Sequence, residues 1–284
     1  MKNIFTLLLM GLASISMMAK VSVSDKTVLL KLYTATNGAN WNTKWDLSSP
    51  VSTWYGVVLE GDKVVSINLA DNNLVGEIPN EIVNLTDLKE LNLHKNVLSG
   101  LIPFALGNLK QLEVLDLSFN RLTGTIPSSV GEMNNLVTLQ LYMNRLSGEL
   151  PDQIGNLKHL ETLAAFNNEL EGEIPNSLYG VSTLKVLLLS SNKLSGKLSA
   201  EIANLKGLEN LSLFENNMDG RVPYELEKLS NLKEMNISYN QFSGLISRKL
   251  ALLDTLNMTM VNDNGVAILL DVSFDIERPI VSED

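Results

Sequence analysis

An asparagine that returns every 24 residues is the strongest constraint on this chain: Asn72, Asn96, Asn120, Asn144, Asn168, Asn192, Asn216, Asn240 and Asn264 stand in unbroken register. Units of equal length stack as the coils of a solenoid, each a short strand, a tight turn and a return segment. The third unit, residues 109–127, reads LKQLEVLDLSFNRLTGTIP. Its apolar positions are Leu112, Leu115, Leu117, Leu122 and Ile126, matched in the fourth unit by Leu136, Leu139, Leu141, Leu146 and Leu150. One unit cannot bury such a set alone, so its neighbours must.

The polar letters have their own physical reasons. An amide side chain carries donors and an acceptor, so the asparagine can satisfy backbone groups of its own and adjacent coils where the chain turns inward. Four residues on, glycine recurs from Gly76 to Gly244, at a place that calls for positive φ or close backbone approach. Proline then fixes φ at Pro79, Pro103, Pro127, Pro151, Pro175 and Pro223.

The resulting pattern, L-x-x-L-x-L-x-x-N-x-L-x-G-x-I-P, resembles the plant-specific class of the leucine-rich repeat family. Receptor-kinase ectodomains, polygalacturonase inhibitors and bacterial secreted and surface proteins use that class. The resemblance implies an α/β repeat solenoid, a right-handed superhelix with a parallel β-sheet on its concave side, and no cofactor. It says little about function, because one scaffold serves many partners.

Four segments are expected. Residues 1–19 have a basic front at Lys2, an apolar stretch from Ile4 to Met10 and small residues after it, and read as a secretory signal peptide. Residues 20–63 form an N-terminal cap, with a helix over Asp25–Ala35 begun by Asp25 and stopped at Asn37-Gly38. Trp41, Trp45 and Trp54, the chain's three tryptophans, follow. The stretch Trp54-Tyr55-Gly56-Val57 is similar to the family's W-x-G-V cap, with Ser52 and Leu59 where the family has cysteines. Burial over the first coil is the preferred reading of these indoles, and sugar stacking is the alternative. Residues 64–248 give about eight coils. Residues 249–284 are read as a degenerate ninth coil, with Leu250, Leu253, Leu256 and Val261 in register, and a terminal hairpin turning at Asn264-Gly265.

Charge and cysteine content narrow the function. The net charge of −10 and the lack of a Lys/Arg run argue against nucleic acid as a partner. With no cysteine there is no disulfide, thiolate metal site or cysteine nucleophile. Beyond the leader, no segment approaches 18 consecutive apolar residues, so the mature protein is expected to be secreted, periplasmic or held at the cell surface. Asn262-Asp263-Asn264-Gly265 has oxygen ligands but lacks the rest of a calcium loop, so no metal site is expected.

The outward residues of each strand map the concave face. In coils four to seven they are Thr138, Gln140, Tyr142; Thr162, Ala164, Phe166; Val186, Leu188, Ser190; and Asn210, Ser212, Phe214. These twelve carry no charge, where an ordinary surface would supply three or four. The sequence therefore points to a binding strip of Tyr142, Phe166, Leu188 and Phe214 with Gln140 and Asn210, for a protein, peptide or glycan. Phe119 and Tyr239 are set aside as partly packed. A non-enzymatic recognition module is the leading reading. Its rivals are adhesion or self-association at a cell surface and, more remotely, a hydrolase using His94 and Ser118 with a nearby carboxylate.

Overall fold

The computed structural model describes residues 21–254, 258–262 and 266–273. The expected signal peptide, Asn264 and the Asn264-Gly265 turn lie outside the described residues.

An α-helix, Val23–Ala35, opens the fold. Its cap is Ser22 and not Asp25: the serine hydroxyl accepts from the Asp25 amide at 3.0 Å and donates to Asp25 Oδ1 at 2.6 Å. Asp25 is thereby freed for another bond, since its Oδ2 accepts from the Val64 amide at 2.9 Å and ties the helix to the first coil. The three indoles are buried, each N–H bonded to a carbonyl: Trp41 to Thr36, Trp45 to Tyr55 and Trp54 to Asp46. Trp45 stacks on Trp54 with centroids 4.7 Å apart. Rings packed this way cannot offer a face to a sugar, and they close the end of the solenoid without a crosslink.

Val57–Glu60 and Lys63–Asn68 form an antiparallel hairpin that the periodicity did not reveal. It covers the edge at which a parallel sheet would otherwise begin. From Lys63–Asn68 onward the strands are parallel: Glu90–Asn92, Val114–Asp116, Thr138–Gln140, Thr162–Ala164, Val186–Leu188, Asn210–Ser212 and Glu234–Asn236. Each residue pairs with the one 24 further on, as Leu91 with Leu115 and Leu115 with Leu139, so the leucines stack in columns. Leu112, Leu115, Leu117 and Leu122 are fully buried, and so are Leu136, Leu139, Leu141 and Leu146. The return segments are five-residue 3₁₀ turns, such as Ser128–Glu132 and Asp152–Asn156, each entered from a proline or, at Ala200, from Ser199. A second parallel sheet, from Thr123–Gly124 to Gln241–Ser243, flanks the first.

The asparagine ladder does what its chemistry allows. Asn120 Nδ2 donates to the carbonyls of Leu93, Leu117 and Ser118 at 2.9–3.1 Å, while Oδ1 accepts from the Leu98 amide at 3.0 Å. Asn96, Asn144, Asn168, Asn192, Asn216 and Asn240 repeat the arrangement. Asn72 instead turns to the cap, accepting from the Thr43 amide and donating to its carbonyl.

The ninth coil departs from expectation. In the regular part Glu215 N bonds to Ser238 O, 23 residues on, but Tyr239 N bonds to Thr259 O, 20 residues on. The segment is three residues too short for another coil in register. Buried Asp254 fills the gap, its carboxylate accepting from the Ile237 amide at 2.9 Å and from the Ser238 hydroxyl. Thr259–Val261 then pairs antiparallel with Ala267–Leu269, as a terminal hairpin requires.

Candidate functional site on the concave face

Tyr142 and Phe166 leave adjacent coils two residues after their strands, and their rings lie parallel, 4.4 Å apart with a 9° tilt. The stack does not stand alone. Phe119 meets Tyr142 edge-on at 5.5 Å, and His94 meets Phe119 edge-on at 5.3 Å. Four rings from coils two to five therefore form one aromatic ladder. Further along, Phe214 meets Tyr239 edge-on at 5.2 Å.

Phe119 and Tyr239, set aside in the sequence as partly packed, are exposed for a definite reason. Both sit just before a ladder asparagine with φ of 52° and 58°, in the left-handed region. A side chain on such a residue leaves the period-two pattern and leans over the sheet. Phe119 is 41% exposed and Tyr239 44%. Both belong to the aromatic surface.

The other expected residues fall into two groups. Gln140 is half-buried in the strand that leads to Tyr142, while Ala164, beside it in register, is buried. Leu188 and Asn210 lie apart from the aromatic ladder. They line a shallow depression of about 280 Å³ with Ser212, Glu234, Asn236 and Leu253. From this depression Ser212 shares a 2.6 Å hydrogen bond with Ser190. Beyond coil seven, Glu234 restores a charge that the strand positions of the four preceding rungs lack, while Glu215, at the left-handed position before Asn216, already edges coil seven with a carboxylate.

The histidine, serine and carboxylate anticipated near His94 do meet, in an order unsuited to nucleophilic attack. Ser118 Oγ lies 2.8 Å from His94 Nδ1 and donates its proton to Asp116 Oδ1. The hydroxyl has one proton, so the imidazole is the donor in the first bond. In a catalytic triad the serine gives its proton to the imidazole, and the carboxylate orients the ring from its other nitrogen. Here Asp116 holds the serine, which is fully buried. Asp116 and Ser118 anchor His94 as the first ring of the aromatic ladder and do not assemble an acyl-transfer site with it. Among the described residues no group of three or more His, Asp or Glu could hold a metal ion.

Family models agree with this geometry. A leucine-rich repeat region model matches residues 139–260, and a leucine rich repeat model matches residues 62–122. The chain belongs to the leucine-rich repeat family. Its repeats are of the plant type, and solved structures share the fold. A plant peptide hormone receptor, RGFR1 in complex with RGF2, is 32% identical with a TM-score of 0.64, over 73% of this chain and 32% of that one. The ectodomain of the Arabidopsis receptor kinase HAESA, in complex with an extended IDA peptide hormone, is 26% identical with a TM-score of 0.60, over 87% of this chain and 49% of that one. A plant ice-binding protein is 25% identical with a TM-score of 0.59, over 90% of this chain and 99% of that one. This chain thus spans a third to a half of the two receptor chains. No curated protein matches it. Among the described residues no helix is long and apolar enough to cross a membrane.

Proposed function

We infer that the chain is an exported, non-enzymatic recognition module that takes an extended peptide or protein segment along its concave face. The aromatic ladder carries this reading: rings of His94, Phe119, Tyr142 and Phe166 in mutual contact, running onto coils four and five, whose outward strand positions carry no charge. Phe119 is exposed and the other three rings are half-buried; rings held rigid by one another present apolar area at little entropic cost, which is how binding hot spots are built. Phe214 with Tyr239 supplies a second anchor. Peptide hormones named with two structural relatives support the same class of ligand. The leader-like N-terminus and the likeness to receptor ectodomains support export to the cell surface or beyond. Ice binding, the activity named for the third relative, calls for a flat threonine array, and Thr138 and Thr162 are followed by Val186.

The test is selection from a random peptide library on the wild-type chain and on Tyr142→Ala/Phe166→Ala/Phe214→Ala. Sequences enriched on the first and lost on the second are expected. Equal enrichment on both removes the concave strip from consideration.

A further inference from the structure

Away from the concave face, the residue after each coil glycine lays its side chain across the glycine of the next coil. A Cβ on Gly172 would meet Glu149 at 2.7 Å, and one on Gly196 would meet Glu173 at 2.7 Å. One on Gly220 would meet Lys197 at 2.9 Å, and one on Gly244 would meet Arg221 at 3.4 Å. These glycines leave room for a continuous ridge of side chains. Along coils four to seven it reads Glu149, Glu173, Lys197, Arg221, all exposed and none in an ion pair of 4 Å or less among the described residues. Exposed Leu245 continues the ridge at its basic end.

An order of two acids followed by two bases is its own complement when reversed. We propose that this ridge is a homodimer contact, a second copy docking antiparallel about a two-fold axis between coils five and six. Glu173 of one copy then faces Lys197 of the other, Glu149 faces Arg221 and Thr125 faces Leu245, each pair occurring twice. A shift of one coil in either direction sets Glu173 against Glu173 or Lys197 against Lys197, so the charges fix the register. The net charge of −10 on each copy opposes every approach, so only a register that sets opposite charges face to face can offset it. A ridge buries little area, so the association is weak and salt-sensitive. It leaves the concave face free and does not depend on what binds there.

Sedimentation of the full chain over a concentration series tests the proposal. The mass should rise from 31.2 kDa toward twice that value and fall back in about 1 M salt. Lys197→Glu/Arg221→Glu makes the ridge wholly acidic, and Glu149→Lys/Glu173→Lys makes it wholly basic. Each variant alone should remain monomeric, and an equimolar mixture should recover the dimer, which also shows that both are folded. A wild type that stays monomeric throughout, a variant that dimerises alone as the wild type does, or a mixture that does not recover the dimer overturns it.

Discussion

Replacing Asn120 by aspartate changes one atom of the ladder and should make stability depend on pH. The residue is 9% exposed, with Nδ2 facing the Leu93, Leu117 and Ser118 carbonyls and Oδ1 facing the Leu98 amide. An aspartate can still accept from Leu98. Its second oxygen would confront three carbonyl oxygens unless it carries a proton, so the folded state raises its pKa. Keeping that proton at pH 7, about 3 pH units above an unfolded aspartate near 3.9, costs about 4 kcal/mol. The folded state binds the extra proton, so the penalty is absent below about pH 4 and grows as pH rises. Asn120→Leu behaves differently. The three carbonyls keep donors from Asn96, Asn144 and the Lys95 amide, and the Leu98 N–H loses its acceptor. That costs about 1–3 kcal/mol for the unsatisfied donor, with no pH dependence. Urea unfolding of both variants, each compared with wild type from pH 4 to pH 7, separates the cases. Far-UV circular dichroism would follow the coils and tryptophan fluorescence the cap. A gap between Asn120→Asp and wild type that stays constant across this range would refute the role given to the amide donors.

Asp254→Ala should cost about 2–4 kcal/mol by orphaning the buried Ile237 amide and removing the Ser238 contact. The check is loss of hydrogen-exchange protection at Ile237, with coils two to five unaffected. Gly56→Ala puts a Cβ 1.9 Å from the Asn68 carbonyl at φ 74°. It should destabilise by well over about 1 kcal/mol, seen as a lowered Tm and earlier exposure of the indoles. The Tyr179 phenol is buried with the Ser199 backbone beside it and no hydrogen bond of good geometry, and burial pushes its pKa up to about 12. A folded pKa above the unfolded value near 10 means stability is lost as pH climbs from 10 to 12, by about 2–3 kcal/mol. Tyr179→Phe should escape that loss and be as stable as wild type at neutral pH, and alkaline unfolding curves of the two would show it.

Much of the architecture was legible because stacking demands equal units, and equal units leave a period in the sequence. The 24-residue spacing determined the stacked coils, the leucine columns, the amide ladder from Asn96 to Asn240 and the glycine positions, and the family resemblance implied the parallel sheet. Packing of the three tryptophans followed from the need to cover an open end. The uncharged rungs around Tyr142 and Phe166 were equally readable, because alternation fixes which strand residues face outward. What the tertiary structure decided lies where that alternation stops. Phe119 and Tyr239 occupy the left-handed position that precedes each ladder asparagine from Asn72 to Asn240, which the 24-residue spacing locates, but only the folded contacts with Tyr142 and Phe214 place their rings on the aromatic surface. Whether Ser118 served His94 or Asp116 depended on hydrogen-bond direction between coils. Asp25 and Asp254, ordinary surface residues by type, are buried because each caps a backbone amide that the stack leaves unpaired at its two ends. A repeat specifies what every coil shares, and the ends and the contacts between unlike side chains are set by the folded neighbours.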